Sequence, residues 1–398
     1  MEPVLSIVIP TRNRLATLRR TVESWLRHWS RAPFELVVVD DGSEDGTGEY
    51  LVSEAAREPR LRALMQPASG PALARNRAIA ESRGCYLLFA GDDIRPGEGL
   101  ADGHVAAHEG PRAPRFVLGR TDWDPERPIT GVMRHVTGFG GQQFRYDYLR
   151  DRERLGFKYF YGSNLSLRRS ELDTLAEPFD PSFGGAALED TDLGYRLLAR
   201  RRGIEYRRGL LAFHDHPYDA VAFAERQQRV GRATAVLFAK HPGIASEFGA
   251  AELAKACATA ERARSRGSLA TLGELDEAER RIAEWLGPRG DSRDRRLDRV
   301  YLGYFWYHQA KGMVEAQVPP SDRAPVLGAL MGRALACPLA AAAEGDASST
   351  AAEDERLGLL ARRLAGAAGR RRVGACLRWR LAVWLRERHH AACLRRAG

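Results

Sequence analysis

Three short, almost unbroken apolar runs lie near the start of the chain: residues 5–10 (LSIVIP), 34–40 (FELVVVD) and 86–90 (YLLFA). Runs of this length without polar alternation read as strands covered on both faces. Helical spacing fills the gaps, as in residues 15–29, where Leu15, Leu18, Val22, Trp25 and Leu26 recur on one side. Two further helices are expected over 48–58 and 72–83, and a weaker strand over 61–66. Buried strands alternating with crossover helices predict a parallel sheet with helices on both faces. Ligands of such sheets sit beyond the carboxyl ends of the strands.

Those ends carry unexpected charge. One run closes in Asp40-Asp41, and another is followed by Gly91-Asp92-Asp93. Adjacent carboxylates at the mouth of an apolar strand repel each other and lose hydration if covered. For Asp92-Asp93 two readings stand: a polar turn closed by Pro96, or a divalent cation site whose ion cancels the repulsion and bridges a diphosphate. At the earlier junction, a helix N-cap by Ser43 or Asp45 explains part of the pattern. It does not explain two carboxylates after VVV, one of which could accept hydrogen bonds from a base N–H or ribose hydroxyls. Both junctions fall on one rim of the expected sheet, which favours the functional reading of each.

The 398 residues suffice for two domains, and 44% hydrophobic with 28% charged residues is an ordinary globular balance. No stretch approaches the roughly 18 apolar residues of a membrane span. The start, MEPVLSIVIPTRNR, has an acidic residue where a signal peptide wants basic ones, and its apolar run is too short. Five scattered cysteines without a CxxC pair support neither a disulfide framework nor a thiolate zinc site, so a cytoplasmic location is expected.

Residues 111–160 read as loop-dominated. A short strand leading into a helix is expected over 159–172, a helix with acids in its first turn over 188–201, and strands over 203–213 ending in His214-Asp215-His216-Pro217. After about residue 220 the pattern becomes helical, which predicts domains over 1–220 and 221–398. Within the second, 287–296 is a polar loop and 334–353 an Ala-rich linker or poorly packed helix.

The net charge of +9 resides in residues 361–398, which hold eleven arginines and one acid, leaving the rest near neutrality. There Val373, Leu377, Leu381, Trp384 and Leu385 share one helical face beside Arg378, Arg380 and Arg386. One reading is peripheral contact with an anionic membrane at its inner face. The other is a terminal helix with its arginines in water, and Arg388 interrupts the apolar face in its favour.

VIPTRNR, VVVDDGSEDGT, ALARNRAIAESRG and FAGDDIRP occur in this order, followed by GSNLSLRRSEL and LEDTDLGYRL. Together, over about residues 4–217, they resemble the family-two glycosyltransferases of the GT-A fold. The resemblance implies an α/β fold of GT-A type, with a mostly parallel sheet and helices on both faces, and the helical pattern after residue 220 adds an α-helical C-terminal region. It implies an inverting transferase with Mn2+ or Mg2+ as cofactor. The sugar would pass from a nucleoside-diphosphate sugar to a hydroxyl of a glycan, a lipid-linked acceptor or a small molecule.

Carried over by position, Pro10, Thr11 and Asn13 line the nucleotide pocket, Asp41 contacts the base, and Arg75 and Asn76 lie near ribose or phosphates. Asp93 takes the last, metal-ligating position of the family's Asp-x-Asp signature, and Asp92 shares the nucleotide site. Gly91 stands at the first position, a departure that leaves open how ribose or metal is held. Asp190 of the Glu189-Asp190 pair is the implied base for the acceptor hydroxyl, kept ionised by a helix N-terminus. As the alternative, Glu189, Asp190 and Asp192 merely complement the helix dipole. Asn164 and Glu189 fall on the acceptor side. A histidine near the last strand completes the metal shell in related enzymes: His214 is the expected ligand, with His216 the alternative.

No Walker A sequence is present and no GxGxxG follows the first strand, which argues against dinucleotide redox chemistry. The tail lacks a nucleic-acid-binding motif, so no nucleic-acid partner is expected. The competing reading is a non-catalytic binding or scaffold protein on a degenerate GT-A fold. Gly91 supports it; Asp41, Asp93 and Asp190 speak against it.

Overall fold

In a computed structural model of the chain, residues 2–185, 187–248, 271–287 and 295–343 are described, with the isolated positions 254, 257 and 258. The arginine-rich segment 361–398 lies outside the described residues, as does the Ala-rich stretch beyond 343 and the polar loop over 288–294. The chain divides into two compact units, one of residues 1–128 and 149–216, the other of 129–148 and 217–398. The change of character near 220 lies close to one junction, and residues 129–148 fall with the helical unit.

The first unit runs β1 (Leu5–Thr11), α1 (Leu15–Arg27), β2 (Phe34–Asp41), α2 (Thr47–Ala55), β3 (Leu61–Gln66), α3 (Pro71–Glu81), β4 (Tyr86–Phe89), β5 (Ile94–Pro96) and α4 (Leu100–Ala107). After β6 (Phe116–Trp123), α5 (Gly131–Thr137) belongs to the second unit. The first unit resumes with β7 (Arg154–Leu155), β8 (Leu165–Arg168), α6 (Glu189–Leu198) and β9 (Ile204–His214). The strand order is β3-β2-β1-β4-β8-β6-β9-β5, with β7 also on β9.

Strands β1 to β4 pair in parallel, as their buried runs predict. The sheet as a whole is mixed. β8 runs antiparallel to β4 and β6, and β5 and β7 antiparallel to β9, while β6 and β9 are parallel. The sheet is parallel through β1 to β4, as expected from the sequence, and antiparallel strands join it beyond β4. The loop-dominated reading of 111–160 is corrected, because that stretch contains β6 and α5. β6 hides its character because its apolar run Phe116-Val117-Leu118 is short, and Gly119-Arg120-Thr121-Asp122 before Trp123 reads as loop.

One core cluster joins Leu5, Ile7 and Ile9 of β1, Leu36 and Val38 of β2 and Leu88 of β4 to Leu18, Val22 and Trp25 of α1. Trp25 is wholly buried, and its indole N–H donates to the carbonyl of Ile94 at 3.1 Å. This bond locks α1 against β5 and so fixes the loop that carries Asp92 and Asp93.

Deeper in the unit, polar groups interlock. His104 Nε2 lies 2.8 Å from Asn164 Oδ1 and its Nδ1 2.7 Å from Ser166 Oγ, which His108 Nε2 also approaches at 2.8 Å. Burial pushes His104 down to about 3, against its bond to Asn164, and His108 down to about 4. Both are therefore neutral in the native state, and both gain protons on unfolding once the pH falls below the ordinary value of about 6.5. The unfolded chain then binds more protons, so stability is fully present above about pH 6.5 and is lost as pH falls toward 4. Thermal midpoints should drop between about pH 7 and about 4.5, and less steeply in His108→Gln. Equal slopes in the two proteins would contradict this.

The second unit adds α7 (Ala220–Lys240), α8 (Leu272–Leu286), α9 (Arg295–Gln317) and α10 (Pro320–Ala343) to α5. α7 and α9 cross with backbones in contact. A Cβ at Gly231 would lie 1.9 Å from the Gln309 carbonyl, and one at Gly312 2.0 Å from that of Gln228. α8 begins with a capping box between Thr271 and Glu274. No described helix is long and apolar enough to cross a membrane.

Candidate active site

The parallel strands deliver their last residues to one rim: Thr11 of β1 stands in register with Asp40 of β2, and Val8 with Phe89 of β4. Beyond β4 the chain turns through Gly91, Asp92 and Asp93 into β5, which pairs with the end of β9 so that Ile94 faces His214. Residues far apart in sequence thereby converge. Asp93 Oδ2 lies 3.3 Å from His214 Nε2 and 3.6 Å from His216 Nδ1. One ligand atom from each of Asp93, His214 and His216 falls within 4.8 Å of the others. The two imidazoles stack with centroids 5.6 Å apart and planes 10° apart, and Trp123 stacks on His214 at 5.3 Å. Thus the structure brings both histidines to Asp93, and neither is singled out.

Arg14, quoted in VIPTRNR but not anticipated as a site residue, reaches into this cluster. Its guanidinium contacts Asp92 Oδ1 at 2.6 Å and Asp93 Oδ2 at 3.0 Å, and lies 2.7 Å from His216 Nδ1. Thr11 donates its hydroxyl to Asp92 Oδ2 at 2.8 Å. Burial pushes Asp92 up to about 7, Asp93 adding to the push and Arg14 opposing it. Burial acts on Asp93 too, but His214, Arg14 and His216 outweigh it and hold that carboxyl well below its ordinary range. Of the adjacent pair, Asp93 is the ionised member and Asp92 retains a proton readily.

Gly91 has a steric explanation. A Cβ there would sit 2.6 Å from Asp93 Oδ1, so any side chain at 91 displaces the Asp93 carboxylate. Restoring the family's acid should therefore harm this site. Gly91→Asp is expected to weaken Mn2+ binding, by a factor on the order of 10 or more, as loss of correct ligand orientation does. Tighter binding in a Mn2+ titration would show that the first acid is simply missing.

The other nucleotide-side residues are engaged within the fold. Asp41 accepts from Gln66 Nε2 and from the backbone N–H groups of Ser69 and Gly70, each at 2.8 Å, and so holds the loop before α3. Asn13, at φ 52°, donates its N–H to Ser43 Oγ and accepts from the N–H of Glu44, both at 2.8 Å. Asp45 accepts from the N–H of Leu15 and of Thr47, the first residues of α1 and α2, while the N-cap position before α2 falls to Gly46 and not to Ser43 or Asp45. Pro10 is half-buried beside Thr11. Asn76 exchanges two hydrogen bonds with the backbone of Phe179, at 2.7 and 2.8 Å, and Arg75 pairs with Glu189 at 2.7 Å over the Phe179 ring. Asn164, expected on the acceptor side, is buried; besides meeting His104 it donates to the carbonyls of Arg120 and Leu210.

α6 opens after Leu188, whose φ of 63° is a strained left-handed conformation for a branched residue. Its first turn holds three acids with different partners. Glu189 is buried and bound to Arg75, and burial pushes it to about 7 against the pull of that arginine. Asp192 is paired with Arg196 at 2.8 Å. Asp190 accepts the backbone N–H of Gly162 at 3.1 Å and of Thr191 at 2.7 Å, and has no cationic partner among the described residues. It is the acid of the three that is left to accept a proton from outside.

Residues 6–175 match the family model described as glycosyl transferase family 2. Over this stretch the chain is similar to that family. Validoxylamine A glucosyltransferase of Streptomyces hygroscopicus subsp. jinggangensis is 30% identical over 244 residues, which cover 55% of this chain and 57% of that protein. Its counterpart in subsp. limoneus is 30% identical over 245 residues, covering 55% and 53%. The matched region thus spans little more than half the length of these relatives. Among solved structures, the mannosyltransferase PcManGT of Pyrobaculum calidifontis, in complex with GDP-Man and Mn2+, aligns with 92% of this chain and 86% of its own. The TM-score is 0.46 and the identity 14%.

Proposed function

We propose that the chain is an inverting, metal-dependent glycosyltransferase of GT-A type that moves a sugar from a nucleoside-diphosphate sugar to an acceptor hydroxyl. The convergence of Asp93, His214 and His216 carries this reading. Their chemistry fits a divalent cation: one carboxylate oxygen and two imidazole nitrogens suit Mn2+, and Mg2+ less closely. The crowding of Asp92 and Asp93, and the way Arg14 lies on both, mark a place where positive charge is stabilised. Asp93 with His214 and His216 would hold the ion, which when bound neutralises charge on a diphosphate.

The protein's own groups supply the remainder. Asp190, fixed by two backbone N–H groups, takes the proton of the acceptor hydroxyl as its oxygen attacks the anomeric carbon. Glu189 and Asp192 stay in their ion pairs. Thr11 and Arg14 orient Asp92 at the donor side of the same rim. The attack opens the bond to the diphosphate from the opposite face, which inverts the anomeric centre.

Glucose donors with a small-molecule acceptor head the combinations to try, given that the relative is named a validoxylamine A glucosyltransferase. Glycan and lipid-linked acceptors follow. The test is a panel of sugar nucleotides scored for Mn2+-dependent thermal stabilisation, since a ligand that binds only the native state raises stability by mass action. A rise with at least one donor, abolished by chelator, is the expected result. No rise with any donor, with or without metal, would favour a scaffold role.

A further inference from the structure

Asp215 stands between the two histidines of the cation cluster, and nothing in the proposed chemistry uses it. In an extended segment alternate side chains take opposite sides. His214 and His216 share the side on which their rings stack. Asp215 takes the other, where its side chain is fully buried. Its Oδ2 accepts from Arg20 Nε at 2.7 Å and its Oδ1 from Arg127 Nε at 2.8 Å. Arg20 also reaches Asp124, 3.4 Å away, a second fully buried carboxylate that pairs with Arg95 at 2.7 Å. Backbone bonds close the arrangement: the N–H of Asp215 donates to the Asp93 carbonyl at 2.8 Å, and that of Asp124 to the His214 carbonyl at 3.1 Å.

Two buried carboxylates bound by three arginines are a poor investment in stability alone, because desolvation offsets most of the Coulomb attraction. What such a network gives is direction. With each Asp215 oxygen held by an arginine, the segment 214–216 cannot rotate about its axis, so both imidazoles must face Asp93.

We propose that Asp215, clamped by Arg20 and Arg127, is a positioning residue that fixes His214 and His216 as ligands for a divalent cation. This rests on the reading of Asp93, His214 and His216 as the cation site. Groups behind metal ligands typically contribute 10- to 100-fold in affinity, on the order found for outer-shell partners generally.

The test uses the full chain and the metal alone. Mn2+ affinity is measured from loss of the free-ion paramagnetic resonance signal, and ligand geometry from the visible absorption of bound Co2+. Asp215→Asn is expected to weaken Mn2+ binding by roughly 10- to 100-fold and to alter the Co2+ spectrum. Arg127→Gln, which removes one arm at a partly exposed residue, should weaken it less, and Arg127→Lys should recover part of the loss. If wild type binds Mn2+ and both Asp215→Asn and Arg127→Gln match it in affinity and spectrum, the clamp is wrong while the cation site stands. If Asp215→Asn does not fold, unchanged affinity and spectrum in Arg127→Gln overturn the clamp alone. Should wild type bind no more Mn2+ than Asp93→Ala, the cation site and the clamp fall together.

Discussion

Asp93→Ala is expected to lose glycosyl transfer by roughly 10³-fold or more, because it removes the ionised oxygen that would hold the cation and so several kcal/mol of charge stabilisation. Mn2+-dependent binding of nucleoside diphosphate should vanish with it. The fold should survive. Asp93 supports no apolar packing, and its removal relieves the like-charge repulsion that helps push Asp92 up to about 7. Arg14 then keeps Asp92 and His216 as partners. Circular dichroism and the thermal midpoint should stay near wild type while activity disappears. Transfer at the wild-type rate in Asp93→Ala would remove the metal assignment.

Asp190→Asn is expected to bind sugar nucleotide almost as wild type does and to turn over some 10²- to 10⁴-fold more slowly, the usual contribution of one general base. The amide keeps an acceptor for the N–H of Gly162, so the local geometry is preserved while the proton acceptor is lost. The neighbouring acids cannot take over without breaking an ion pair, Glu189 with Arg75 or Asp192 with Arg196. Steady-state kinetics should show the loss in kcat, with KM for the donor little changed. A variant with wild-type kcat would place the base elsewhere.

The readable parts of the sequence were those in which one residue type meets one local demand. β1, β2 and β4 declare themselves because strands buried on both faces must be apolar throughout. Asp92-Asp93 stands out because paired carboxylates are out of place at such an end. Asp45 binds the first N–H of two helices, as a short acid beside a helix start suggests, although Gly46 takes the N-cap position itself. What stayed hidden depends on contacts between distant segments. Arg14 meets Asp92 across 78 positions and Arg20 meets Asp215 across 195, and no local pattern announces such pairs. Asn76 and Asn164 show the reverse difficulty: an amide suits a ligand and a backbone equally, and here both amides bond within the fold. β6 is missed because its second half is largely polar, although there its residues alternate between partly buried and buried as a strand's do.

The most direct measurement is release of nucleoside diphosphate from a panel of sugar nucleotides, followed in wild type and His214→Ala, with Mn2+ and with excess chelator. The account predicts release from at least one donor in wild type with Mn2+. Chelator should suppress it, and so should loss of His214. Release at the same rate in chelator, or in His214→Ala with Mn2+, would contradict a cation held by Asp93, His214 and His216 as the centre of the reaction.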